Sequence, residues 1–157
     1  MSSARSRCKP ILRPSTHSDC MALSQTMRSE DIAEIRAGSD LTPYEALKVG
    51  LDHSEECHTL VWENHVVLMF GVMRVGKAYS VWLLASDEFV RFTFHFVKEC
   101  RRWRDDVLRR YGSLVGAVWD QNEAHVRFLR YLGFSFDNDP VYLKGNRFLV
   151  FTHEGKK

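Results

Sequence analysis

Asn122, His125 and Arg127 lie in one stretch, Asn122 to Phe136, that follows the apolar run Leu114 to Trp119. An imidazole can move a proton near neutral pH, or it can pack as a hydrogen-bonded core group. Asp87 and Glu88 open the longest helical pattern in the chain. Carboxylates there stabilise a helix start and repel an approaching phosphate. That helix carries Arg91, Lys98, Arg101, Arg102, Arg104, Arg109 and Arg110 against Glu99, Asp105 and Asp106. Such cations could hold DNA phosphates or an acidic protein. The bland alternative is an amphipathic helix with a solvated outer face, because three acids interrupt the run and the net charge is only +2. Cys8, Cys20, Cys57 and Cys100 fit no zinc spacing. Cys57 and His58 are adjacent, so on a strand they point to opposite faces. The expectation is no metal site.

At 157 residues the chain has one domain's worth of sequence. Its 45% hydrophobic and 27% charged content is ordinary for a globular protein. The first residues are polar and basic (Arg5, Arg7, Lys9) with no apolar signal-like core, and no stretch is apolar enough to span a bilayer. We expect reduced thiols in a cytoplasm, with Cys57 and Cys100 packed as small hydrophobes. Residues 1–8 read as a loose arm, 9–153 as a single domain and 154–157 as a basic tail.

The elements that must position these groups follow from period and punctuation. A short strand is expected at about Pro10–Arg13, then a helix through Met27 capped from Ser15, Thr16 or Asp19. A second helix starts at Ser29-Glu30 and stops at Gly38. Thr42-Pro43-Tyr44-Glu45 is a capping box with proline at the first helical position, launching a helix to about Leu51. His58–Glu63 and Val66–Met73 read as a hairpin around Asn64, and Tyr79–Leu84 as a third strand. The long helix runs from about Phe89 to Tyr111, with Phe92, Phe96, Cys100, Trp103 and Val107 on its apolar stripe. Gly112 ends it. Asn122 caps the last helix, whose stripe is Val126, Phe128, Leu129 and Leu132, and Gly133 ends it. A strand follows, and a final one is expected at Arg147–Thr152. Trp62, Trp82, Trp103 and Trp119 read as core or sheet-face residues.

Strand, Asn cap, short amphipathic helix and Gly133-Phe134, preceded by β–long helix–β, resemble the last βαβ unit of the GCN5-related N-acetyltransferase (GNAT) superfamily. The resemblance implies an α/β (α+β) fold with a mixed central sheet, helices on both faces, and two parallel strands splayed near the C-terminal half. It also implies acetyl-coenzyme A as cofactor and a catalytic tyrosine. This chain departs from the superfamily on both counts. The Gly-rich pyrophosphate turn is replaced by Ala85-Ser86-Asp87-Glu88, with no glycine between Gly76 and Gly112. Aligned without a gap, the tyrosine position falls on Leu129, which cannot transfer a proton. Tyr131 lies about 200° around the helix from it. The candidates left for a relic ligand cleft are Asp87, Asn122, His125 and Leu129.

Cys57-His58-Thr59-Leu60, Ser86-Asp87, Arg109-Arg110-Tyr111, Val118-Trp119, Asn122, His125, Arg127-Phe128-Leu129 and Gly133 together resemble the internal virion protein A family of short-tailed phages. The similarity runs from about Pro10 to His153 and is densest from Cys57 to Gly133. It implies a phage morphogenesis protein of the internal core or ejection apparatus. Other virion proteins would be its partners and no cofactor would be needed. It would be found in the host cytoplasm during assembly and in the virion interior. Two alternatives stay open: an N-acetyltransferase with an altered cofactor site, and a host-factor or nucleic-acid binder using the basic 91–110 helix.

Overall fold

Alternating and β-branched runs build one eight-stranded sheet, and helices cover both of its faces. The computed structural model describes residues 9–155, without the side chains of residues 93–95. The expected arm, residues 1–8, and Lys156-Lys157 of the tail lie outside the described residues. The chain runs β1 (Ile11–Pro14), α1 (His17–Thr26), α2 (Ser29–Gly38), α3 (Pro43–His53), β2 (Ser54–Trp62), β3 (His65–Val75) and β4 (Ala78–Ala85). It continues with α4 (Phe89–Tyr111), β5 (Leu114–Trp119), α5 (Glu123–Tyr131), β6 (Ser135–Phe136), β7 (Val141–Leu143) and β8 (Asn146–His153).

The strand order is β1-β2-β3-β4-β5-β8-β6, with β7 also on β8. Among the described strands only β4 and β5 run parallel, and they pair at Tyr79↔Leu114 and Ser80↔Val115. Beyond Ser80 the two strands part. This is the splayed pair that the superfamily resemblance implied, and it sets a wedge in the middle of the sheet.

Side-chain alternation on β3 divides the core. Leu68, Phe70 and Val72 pack with Phe92, Phe96 and Val107 of α4 and with Phe128 and Leu129 of α5. Met69 points the other way, among Cys20 and Leu23 of α1 and Leu47 of α3. Cys57 joins this second cluster while His58 packs tilted against Phe70 and edge-on to Trp103 on the other face, as adjacency on a strand requires. The Trp82 ring lies on Gly50 of α3, where a Cβ would come within 2.6 Å of it. Glycine therefore lets α3 approach the sheet closely.

Local chemistry explains the termini. Thr42 Oγ1 accepts from Glu45 N–H at 3.1 Å, and Glu45 Oε1 accepts from Thr42 N–H at 3.0 Å, completing the expected capping box. The β2–β3 hairpin turns at Glu63 and Asn64, both at positive φ, the geometry that matches strand twist. Two expectations need correction. β2 begins at Ser54 rather than His58, because a polar segment with no apolar alternation is nonetheless paired to Val72 and Met73 of β3. β7, unforeseen in the sequence, is a three-residue exposed strand held to β8 by a Lys144-Gly145 turn at positive φ.

Candidate functional site

α2 lies beside the open end of the β4–β5 wedge, and it brings carboxylates into contact with α5. Asn122, only 1% exposed, caps α5 by accepting His125 N–H on its Oδ1 at 3.3 Å. Its Nδ2 donates to Asp31 Oδ1 at 3.1 Å and to Glu34 Oε1 at 3.2 Å. Asp31 is as deeply buried, and its other oxygen accepts Ala85 N–H of β4 at 2.9 Å. Glu34 accepts Trp119 N–H at 3.2 Å. A single polar cluster therefore bridges α2, the end of β4, the end of β5 and the start of α5.

Arg28 supplies the countercharge. Its Nε stands 2.8 Å from Asp31 Oδ2, yet the N–H is not aimed well enough to count as a hydrogen bond. The contact is a buried ion pair, in which proximity in so dry a place sets the electrostatics. The guanidinium also lies over the Phe89 ring at 5.5 Å. His125 is buried beside this cluster, with Nδ1 3.7 Å from Glu34 Oε1, too long for a hydrogen bond.

His125 and Glu34 both border a cleft of about 220 Å³ floored by Val81, Trp82 and Leu83. Val81, Trp82, Leu83 and His125 also line an adjoining gap of only about 40 Å³, where Leu129, 4% exposed, packs with Phe70, Cys100, Phe134 and Phe151. That space holds about one water. Where the superfamily resemblance places a proton-donating tyrosine, this chain has a packed aliphatic side chain.

The start of α4 is equally self-contained. Ser86 N–H and Oγ both donate to Val67 O, at 2.8 and 2.9 Å, and Ser86 Oγ also accepts Glu88 N–H. Phe89 N–H donates to Ser86 O and Arg91 N–H to Glu88 O. These are among the groups that would otherwise receive a phosphate. Glu88 also pairs with His65 at 3.2 Å. Asp87 is exposed on this turn. Of the expected relic-cleft residues, the structure brings Asn122, His125 and Leu129 together. The carboxylates bonded to Asn122 come from Asp31 and Glu34, not from Asp87.

The basic helix is largely paired within the molecule. Arg102 pairs with Glu99 and Arg109 with Asp106. Arg104 pairs with Asp105 and also donates to Leu132 O. Arg110 reaches Glu56 and Asp106. Glu56 collects Arg110, Tyr111 Oη at 3.0 Å and Trp103 Nε1 at 3.2 Å. The Arg110 bond outweighs the opposing effect of burial, and with Tyr111 and His58 it holds the Glu56 carboxyl down at about 2. Arg91, Lys98 and Arg101 are exposed on α4, and Arg101 donates to Tyr131 O at 3.1 Å. Among the described residues no group of histidine, cysteine and carboxylate side chains is arranged to hold a metal ion.

Sequence reasoning missed Arg28, Asp31 and Glu34. Acids three apart in a short helix read as a solvated face. The available signal was Arg28, Asp31 and Glu34 recurring every three residues, on a stripe separate from Ile32.

Residues 58–140 match the family model described as "Bacteriophage T7, probable scaffold protein Gp13". The probable scaffold protein gp13 of Escherichia phage T7 is 31% identical over 75 residues, covering 45% of this chain and 53% of that protein. The match thus spans about half the length of the curated relative. In three dimensions the chain resembles a ribosomal L7/L12 alpha-N-protein acetyltransferase solved with coenzyme A, with a TM-score of 0.66, 14% identity and 96% of each chain covered. It also resembles a GNAT-family acetyltransferase from Bacillus anthracis, with a TM-score of 0.65, 9% identity, and 93% and 94% covered. A ribosomal-protein-S5-alanine acetyltransferase from Vibrio fischeri gives a TM-score of 0.63 at 12% identity, with 94% and 93% covered. Identities this low establish the GNAT-like fold and nothing of the chemistry.

Proposed function

Since the chain belongs to the family described as bacteriophage T7 probable scaffold protein Gp13, we propose that it is a phage morphogenesis protein that acts through protein contacts and performs no acyl transfer. The observation that carries this reading is the internal closure of the ancestral cleft. Asp31 takes the Ala85 N–H, Ser86 and Glu88 occupy the start of α4, and Leu129 is packed where a proton donor belongs. A transferase needs donors aimed at a developing charge and a group to move a proton. Here those positions are spent on holding the fold together.

In its finer form the protein is a component of the internal core, or an assembly factor for the ejection proteins. It works without a cofactor, in the host cytoplasm during assembly, and its partners are other virion proteins. The residue resemblance to internal virion protein A supports this form. No helix among the described residues is long and apolar enough to cross a membrane.

The test is a phage deleted for this chain, with purified particles analysed by mass spectrometry. Particles that lose infectivity and one or more internal proteins support the reading; normal, infectious particles sink it. A second reading, an acetyltransferase with an altered site, draws on one observation: His125 and Glu34 border the 220 Å³ cleft.

A further inference from the structure

α4 and α5 border a groove of about 490 Å³. Its walls are two helical stripes. Val90, Val97 and Arg101 recur along α4, and Ala124, Arg127 and Tyr131 recur along α5. Phe89 and Phe128 form the floor. Val90 is 77% exposed and Tyr131 65%, a large apolar display for a helix pair on a monomer surface. The exposed charge lining the groove is of one sign, Lys98, Arg101 and Arg127, with no carboxylate among the described lining residues; Arg28, also on the lining, is buried and paired with Asp31.

This separates the groove from the rest of the basic helix. Arg102, Arg104, Arg109 and Arg110 are paired with acids of this chain. Lys98 and Arg127 are exposed cations from two different helices, turned to one trough. A solvated cationic face does not need an apolar floor. A nucleic-acid face would need a longer run of unpaired cations than this one.

We infer that the α4–α5 groove docks an acidic amphipathic helix of another phage protein, with its apolar side against Val90, Val97 and Tyr131 and its carboxylates on Lys98, Arg101 and Arg127. Charge complementarity selects the occupant. The dimensions agree: Phe89 to Arg101 spans about 18 Å, some three turns of helix. A helix in such a groove is anchored at i, i+3 or i+4, and i+7. The occupant is a partner protein because the proposed function acts through protein contacts, and the inference rests on that reading to this extent.

The test is site-specific photocrosslinking during infection, with p-benzoylphenylalanine in place of Val90 or of Tyr131. Met21, exposed on α1 in the other helix layer, is the control position. The crosslinked peptide is sequenced by mass spectrometry. The expected adduct at both groove positions, absent at Met21, is a segment of another phage protein with apolar residues at helical spacing and a net negative charge. The double variant Lys98→Glu/Arg127→Glu should lower the adduct yield about tenfold or more at an unchanged thermal midpoint. If that variant unfolds, Lys98→Ala/Arg127→Ala should still lower the yield several-fold.

No adduct above the Met21 level overturns the inference. So does an adduct to a basic segment, to nucleic acid or to coenzyme A, or a yield insensitive to the charge changes. Failure here while the deletion phage still loses internal proteins removes the groove and leaves the morphogenesis role. A silent deletion does the reverse.

Discussion

Asn122 Nδ2 donates to Asp31 Oδ1 at 3.1 Å, joining the first turn of α5 to α2 across 91 residues of sequence. The bond sits where β4 and β5 have parted. It turns the opening that the fold would offer a ligand into a buried polar seam. The same asparagine caps α5, so local helix chemistry and long-range closure depend on one side chain.

Replacing Asn122 should therefore cost more than a cap. Asn122→Leu removes the cap and leaves Asp31 and Glu34 short of a donor, for a predicted loss of about 2–4 kcal/mol in urea unfolding. Asn122→Asp keeps the cap acceptor but sets a third carboxylate against Asp31 and Glu34. It should be at least as destabilising near pH 7 and recover partly as the pH is lowered. An Asp variant as stable as the parent at neutral pH contradicts the seam.

Leu129→Tyr restores the residue type that the superfamily pattern would place there. In this chain the position is packed on Phe70, Cys100 and Phe134 with about 40 Å³ to spare. The larger ring should destabilise the fold by about 1–3 kcal/mol through overpacking. Acetyl transfer should not appear, because the turn before α4 remains closed. A stable, acetylating Leu129→Tyr protein would show that a single residue stands between this chain and catalysis.

Glu56 gives a pH prediction. Its carboxyl is held at about 2, below the ordinary 4.5, chiefly by Arg110. A carboxyl depressed on folding contributes stability that is fully present above the unfolded value and is lost as pH falls through the folded one. Stability should therefore drop as pH falls from about 4.5 toward 2. Glu56→Gln should flatten part of that slope while lowering stability at pH 7. Asp19 adds to the acid end. Burial pushes its carboxyl up, but Arg13, the Thr16 N–H and the Thr59 hydroxyl outweigh burial and hold it below its ordinary value. Identical slopes in the Glu56→Gln and parent proteins between pH 4.5 and 2 would contradict the assignment.

The described cysteines should be inert in the folded protein. Burial pushes the Cys57 thiol up to about 11, and it raises Cys20 and Cys100 as well. Iodoacetamide at pH 8 should leave these thiols unmodified on the time scale on which it labels them in urea. Rapid native alkylation of Cys100 would show that α4 opens from the sheet.

Much of the fold was legible because its signals are local. The α4 limits, the Thr42 capping box and the Asn122 cap each rest on residues within one helical turn of one another. The parallel β4–β5 pair follows from a long helix between two apolar strands. Less was legible where partners lie far apart in sequence. β2 extends back to Ser54 through a polar segment because β3 pairs with it, and Glu56 is satisfied by Arg110, 54 residues on. β7 is too short and too exposed to carry an apolar period. In the candidate site, Asn122 could be read as a cap, and Leu129 as an apolar residue out of place. Arg28, Asp31 and Glu34 show only a three-residue recurrence, because their burial is decided by where α2 lands on the sheet.

Calorimetry of the purified protein with acetyl-coenzyme A tests most directly whether architecture has outlived chemistry here. The closed α4 turn and the Leu129 packing predict no saturable heat up to millimolar cofactor. Binding with a low-micromolar Kd, accompanied by acetyl transfer to an amine, would contradict the account.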